Sequence, residues 1–228
     1  MIIAIRGGET PAAIEEVGRI GPGDRLERMN PTLREVEAEL LARWPETKLE
    51  PSLDRIRAIC ELLGNPQDAT PLIQLTGTNG KSTTSRMIDA LVRALGLRTG
   101  RFTSPHLQSI TERISIDGDP LTDEEFVRAY EDVAPFARLI DDQQEHPLSF
   151  FELMVAMAYA SFADAPVDAA IVEVGMGGSW DATSVADARV AVVTPIGVDH
   201  ARYLGPTPDR GAWGKAASRR HAAKAWNP

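Results

Sequence analysis

Thr76-Gly77-Thr78-Asn79-Gly80-Lys81-Ser82 decides how this chain reads. A short apolar run, Pro71-Leu72-Ile73-Gln74-Leu75, enters it as a strand, and Ser82 to Leu95 follows with helical periodicity until Gly96 stops it. Strand, glycine loop, Lys-Ser and helix form the arrangement in which backbone N–H groups converge on phosphate oxygens. Gly77 and Gly80 permit backbone conformations, and a close approach of phosphate, that side chains forbid. Lys81 reaches the β- and γ-phosphates as a point charge. The Ser82 hydroxyl is placed to ligate Mg2+, and Thr78, Asn79 and Thr83 complete the nucleotide contacts. The longer P-loop pattern has glycine six residues before the lysine, where this chain has Leu75, so the match is to a shorter variant.

The helix positive end adds to the attraction for phosphate. The same alternation of strand and helix continues on both sides of the loop. Thr32 caps a helix to about Arg43, with Leu33, Val36, Leu40 and Leu41 on one face. Pro51-Ser52 opens a second, carrying Leu53, Ile56, Ile59, Cys60 and Leu63 before Gly64. Thr99–Thr103 and Arg113–Ile116 read as strands, the latter entering a tight turn at Asp117-Gly118. Thr122 starts a helix with Glu124 and Glu125 in its first turn, and Ser149 to Phe162 is a strongly apolar helix. Asp168–Val174 and Arg189–Thr194 are further strands. The pattern predicts an α/β fold: a P-loop-containing, mostly parallel sheet with helices on both faces.

Ligands of open α/β sheets bind beyond the carboxyl ends of strands, and three such positions carry chemistry. Ser104-Pro105-His106-Leu107 follows one strand, Glu173 precedes the turn Gly175-Met176-Gly177-Gly178, and Asp199-His200 follows Thr194-Pro195. A buried Glu173 needs a partner, which points to function. His106 alone reads first as a loop histidine satisfied by backbone, and Asp199-His200 alone reads equally as a solvated turn or as a ligand. Leu153, Met157 and Tyr159 read as core.

The 228 residues suit one large domain, with an apolar share of 43% and a charged share of 25%. No run approaches a membrane span, and Met1–Arg6 is too short for a secretory signal, so the expected location is cytoplasmic with no membrane partner. A net charge of −9 argues against nucleic acid as a partner. Cys60, the single cysteine, reads as core packing. Composition divides the chain into a Gly- and Pro-punctuated leader at 1–31, a nucleotide-binding domain at 32–205, and a basic tail at 206–228 that holds five Lys/Arg and one acid.

These motifs together resemble the folylpolyglutamate synthase / dihydrofolate synthase family of the Mur ligase superfamily. The likeness runs over about residues 33–205. It is carried by Gly77 to Ser82, Thr103-Ser104-Pro105-His106-Leu107, Glu112-Arg113-Ile114, Phe151-Glu152, Val172 to Gly178, Asp181-Ala182-Thr183, Thr194-Pro195-Ile196 and Asp199-His200. The Ser-Pro-His-Leu segment favours folate over cell-wall substrates.

The resemblance implies the Mur ligase central-domain type of fold and an ATP- and Mg2+-dependent ligase. That enzyme adds L-glutamate to dihydropteroate or to a reduced folate, folyl-(poly)glutamate, through an acyl phosphate. By carry-over Lys81, Glu173 and His200 are the catalytic residues, and Ser82, Ser104, Glu173 and His200 hold metal. Ser104, Pro105, His106 and Phe151 meet the substrate, with Phe151 stacked on the pterin, and the intact relative is a monomer.

Several positions depart from that pattern. Ser179 stands where the family has arginine, Ser184 where it has asparagine, and beyond Gly205 no Glu-Lys-Ala-Gly helix or C-terminal domain follows, with Lys215 near the expected lysine but in other surroundings. The expectation is an incomplete, inactive fragment with an out-of-frame tail, and with Met29 as a credible start. A Mg-ATP-binding module served by a partner and a fragment of a cell-wall Mur-type ligase are the alternatives.

Overall fold

The computed structural model describes residues 31–45, 52–176, 178 and 180–196. Residues 1–30 of the leader, Gly177, Ser179, Asp199, His200 and the tail at 206–228 lie outside the described residues.

Six strands form one sheet in the order β4-β3-β2-β5-β1-β6. In chain order they are β1 Leu72–Thr76, β2 Thr99–Phe102, β3 Ile114–Ile116, β4 Asp119–Pro120, β5 Ala169–Glu173 and β6 Ala188–Val193. β1, β2, β5 and β6 are parallel, with Leu75 opposite Glu173 and Phe102 opposite Val172. β3 and β4 extend the sheet antiparallel beyond β2. The helices are α1 Leu33–Leu41, α2 Asp54–Leu62, α3 Lys81–Ala94, α4 Asp123–Gln143 and α5 Phe150–Asp164.

The sheet is covered on both faces, as the alternation of elements requires. α3 packs over β5 and β2 on one face. α5 covers the other, where a Cβ on Gly100 would lie 2.4 Å from the Phe162 ring. α4, α1 and α2 form a layer over α5. Leu153, Met154, Met157, Tyr159 and Phe162 are all buried, so α5 is apolar nearly all round because it has neighbours nearly all round. Cys60 is buried in this core, and its burial pushes the thiol up to about 12, which leaves it protonated and inert.

Local chemistry sets the helix starts. Thr32/Glu35, Thr122/Glu125 and Ser149/Glu152 each form a reciprocal capping box, with hydroxyl and carboxylate satisfying two otherwise unpaired N–H groups. Left-handed Gly64 and Gly96 end α2 and α3. Three details differ from the sequence reading. Leu41 is 62% exposed, because α1 ends there and its buried stripe is only Val36 and Leu40. β3 is preceded by a 3-10 turn over Ile110–Arg113, and β4 is only two residues long. Among the described residues no helix is long and apolar enough to cross a membrane.

Candidate nucleotide and metal site

The phosphate loop leaves β1 at Thr76 and enters α3 at Lys81. Gly77 has φ +147° and Gly80 φ +83°. At Gly77 space is as limiting as conformation: a Cβ there would lie 1.9 Å from Thr194 Oγ1 and 2.9 Å from Thr194 O. The end of β6 therefore abuts the loop. Thr194 N donates to Thr76 O at 2.8 Å, and the N–H groups of Thr78 and Asn79 donate to Pro195 O at 3.0 and 3.3 Å. Lys81 Nζ donates to Gly77 O at 2.9 Å, folding the ammonium over the loop. Gly80 offers no side-chain cap, so the first-turn amides of α3 retain their capacity for an anion.

Glu173, at the end of β5, is fully buried directly behind this helix start. Ser82 Oγ donates to its Oε2 at 2.9 Å and Ser85 Oγ to its Oε1 at 2.5 Å. Burial raises the carboxyl pKa, while the two serine hydroxyls, Lys81 and Arg101 act against that rise. The sequence singles out Ser82 and Glu173, which the fold brings into contact, but not Ser85. The available signal was its spacing: three residues beyond Ser82 places it on the same helix face.

A polar seam continues along the inner face of α3. Asp89, buried, accepts from Thr99 Oγ1 at 2.5 Å and from Arg93 Nε at 3.2 Å. Arg101, 6% exposed, donates through Nη2 to Ser115 Oγ at 3.1 Å, and burial lowers its pKa.

Of the proposed substrate residues, Ser104, Pro105 and His106 follow β2, and Phe151 lies in the first turn of α5. Ser104-Pro105 is a cis peptide just after β2. His106 Nδ1 accepts from Arg113 Nε at 2.9 Å, and the Arg113 guanidinium lies 4.8 Å from the Phe150 ring centroid, a cation–π contact. Glu112 shapes the loop by accepting from the N–H groups of Leu107, Gln108 and Ser109 at 2.9, 3.0 and 3.1 Å, which lowers its pKa. Phe151 lies against Gly175, where a Cβ would meet its ring at 2.5 Å, and its ring centroid is 5.8 Å from that of Phe102. The aromatic ring thus rests on the turn that follows Glu173.

That turn is braced by Asp181, which accepts from Met176 N at 2.8 Å, Thr183 N at 3.0 Å and Thr183 Oγ1 at 2.5 Å. Complete burial pushes the Asp181 carboxyl up to about 6 against those donors. Ser184, one of the departures from the family pattern, donates to Gly178 O at 2.7 Å and accepts from Gln74 Nε2 at 3.2 Å. At that position serine closes the turn from within.

A Mg2+ ion fits the donor set. Among the described residues no three His, Cys, Asp or Glu side chains gather. One carboxylate beside one serine hydroxyl at the mouth of a phosphate loop is an all-oxygen set, and Mg2+ takes few protein ligands, drawing the rest from water and phosphate. Glu173 and Ser82 would hold it.

Comparison with known proteins agrees with this architecture. Residues 75–209 match the Mur ligase middle domain. The dihydrofolate synthase/folylpolyglutamate synthase of Mycobacterium tuberculosis is 55% identical over 181 residues, covering 76% of this chain and 37% of that protein. Human mitochondrial folylpolyglutamate synthase is 35% identical over 175 residues, covering 75% of this chain and 29% of its own length. The chain therefore spans well under half the length of these curated relatives. The M. tuberculosis folylpolyglutamate synthase solved with ADP and AMPPCP superposes with a TM-score of 0.78 at 52% identity, over 84% of this chain and 42% of that one. Escherichia coli FolC in complex with DHPP and ADP superposes with a TM-score of 0.75 at 31% identity, over 82% and 44%. With its loop, Glu173 and mostly parallel sheet in this arrangement, and with folylpolyglutamate and dihydrofolate synthases as its relatives, the chain belongs to the Mur ligase middle-domain family.

Proposed function

We propose that this chain is the ATP-binding part of an ATP-dependent ligase that adds L-glutamate to dihydropteroate or to folyl-(poly)glutamate. The observation that carries the reading is the Ser82–Glu173 hydrogen bond at the start of α3, beside a lysine folded over a glycine loop. In this reading the first-turn amides of α3 and Lys81 bind the ATP phosphates, and Ser82 and Glu173 hold the metal ion. Mg2+ would neutralise charge on the transferring phosphoryl group. ATP phosphorylates the substrate carboxylate, releasing ADP, and the glutamate amine then attacks the acyl phosphate, forming the amide and expelling phosphate. The protein needs no nucleophile of its own, so its contribution is positioning and electrostatics.

Phe151, Ser104, Pro105 and His106 are assigned to the pterin-bearing substrate, and His200 with Ser104 to a second metal ion. Residues 32–205 form the ligase domain in this reading. The intact enzyme is a cytoplasmic monomer that takes small-molecule substrates alone. The reading is supported by the match of family and fold and by the placement of Phe151 on the turn after Glu173. Equilibrium dialysis of the chain with ATP, a dihydropteroate analogue and a UDP-linked peptide tests it. Retention of ATP and the pteroate is the expected result. Retention of the UDP-peptide in place of the pteroate would assign the chain to the cell-wall branch.

A further inference from the structure

Each carboxylate oxygen of Glu173 has its own serine. Ser82, exposed at the first turn of α3, serves Oε2, whereas Ser85, one turn deeper and fully buried, serves Oε1. The Ser85 hydroxyl has one proton and two acceptors in reach, Glu173 Oε1 at 2.5 Å and Ser82 O at 3.1 Å. The shorter bond, to a carboxylate, is the stronger claim on that proton. Ser85 is fully buried, so its hydroxyl has no exposed position to turn to and is held by these two acceptors. Ser82 has the opposite character: its exposed hydroxyl is free to turn from Glu173 to a ligand at the loop mouth.

We propose that Ser85 is a positioning residue that anchors Oε1 of Glu173, so that Oε2 alone is presented, beside Ser82, to the Mg2+ ion of MgATP. This rests on the nucleotide-binding reading and adds a residue that the phosphate-loop motif does not include. Outer partners of this kind fix the orientation of a metal-bound group, and their loss weakens metal binding roughly 10- to 100-fold.

The test is calorimetric titration of ATP into the chain in EDTA and at a series of Mg2+ concentrations, paired with Mn2+ binding in the presence of ATP followed by electron paramagnetic resonance. Wild type, Ser85→Ala, Glu173→Gln and the double variant are compared, with thermal unfolding in EDTA as the folding control. The expected result is that Ser85→Ala needs about tenfold more Mn2+ or Mg2+ for half-maximal effect, while its metal-free ATP affinity stays at the wild-type value. In the Glu173→Gln background the Ser85 substitution should add nothing, because the two act as one unit. Wild-type metal dependence in Ser85→Ala overturns the proposal. So does an additive effect in the double variant, or an equal loss of ATP binding with and without metal. Should the alanine variant melt early, Ser85→Cys, which keeps the volume and weakens the donor, is read by the same criteria. If wild type itself fails to bind ATP, the nucleotide-binding reading falls and takes this proposal with it; failure confined to the variants sinks the proposal alone.

Discussion

Gly77 and Thr194 are packed so closely that no side chain fits between them: a Cβ on Gly77 would lie 1.9 Å from Thr194 Oγ1. Thr194 is itself buried and tied to Thr76 O at 2.8 Å, so it has nowhere to go. Gly77→Ala should therefore displace the phosphate loop from the end of β6. We expect a loss of about 1–3 kcal/mol in unfolding free energy and a drop in ATP affinity of at least about tenfold, roughly 1.4 kcal/mol. Adding Thr194→Ala removes the nearest atom and should restore part of both. Urea unfolding and ATP titration check this, and a Gly77→Ala protein with wild-type values in each would show that the contact is soft.

Gly100 makes a corresponding demand on the sheet face covered by α5. Its φ is unremarkable, so space alone is at stake: an added methyl meets Phe162 Cδ1 at 2.4 Å, and Phe162 is 2% exposed. Gly100→Ala should cost about 1–3 kcal/mol through overpacking, and Phe162→Leu in that background should recover some of it. If chemical denaturation finds Gly100→Ala as stable as wild type, α5 does not pack on β2 as described.

Asp181 predicts a pH dependence of stability. Its carboxyl is pushed up to about 6 in the fold from 3.8. Between those values the native state holds a proton that the unfolded chain has released, so stability falls as pH rises from about 4 to about 6 and is level above. Two units correspond to a contribution on the order of 2–3 kcal/mol. Asp181→Asn should lose bracing of the turn, because its amide N–H cannot accept from Met176, and should also lose this part of the pH slope. Thermal melts of the two proteins across pH 4 to 7 check the difference, and parallel curves would remove Asp181 as its source.

Phe151 should matter for the pterin and not for the nucleotide. Its ring lies against Gly175 rather than against the phosphate loop. Phe151→Leu is expected to weaken a dihydropteroate analogue by about tenfold, the upper range of an aromatic stacking contribution, and to leave ATP affinity unchanged. Equal losses for both ligands would mean that the substitution distorts the turn after Glu173.

The parts of this fold written in local chemistry were legible in the sequence. Thr32, Thr122 and Ser149 announce their helices because each has a glutamate three residues on. Gly77, Gly80 and Lys81 announce the loop because phosphate binding by backbone demands glycine and a cation at fixed offsets. The rest depends on contacts distant in sequence. Ser85 reads as one more hydroxyl on a polar helix face until the sheet brings Glu173, 88 residues away, against it. The exposure of Val190 at 49% and Val193 at 44% was hidden in an apolar run that reads as a doubly buried strand, since sequence does not say that β6 lies at the sheet edge. β4 has two residues and no periodicity to detect, and its pairing with β3 follows from the Asp117-Gly118 turn.

The most direct test of the account is calorimetric titration of MgATP into the wild-type chain and its Lys81→Ala variant. The loop geometry, with Lys81 Nζ 2.9 Å from Gly77 O, predicts that wild type binds and that the variant binds at least about tenfold more weakly with its fold intact. Equal affinity in the two proteins, or no binding by either folded protein, would contradict the assignment of this loop as the ATP site.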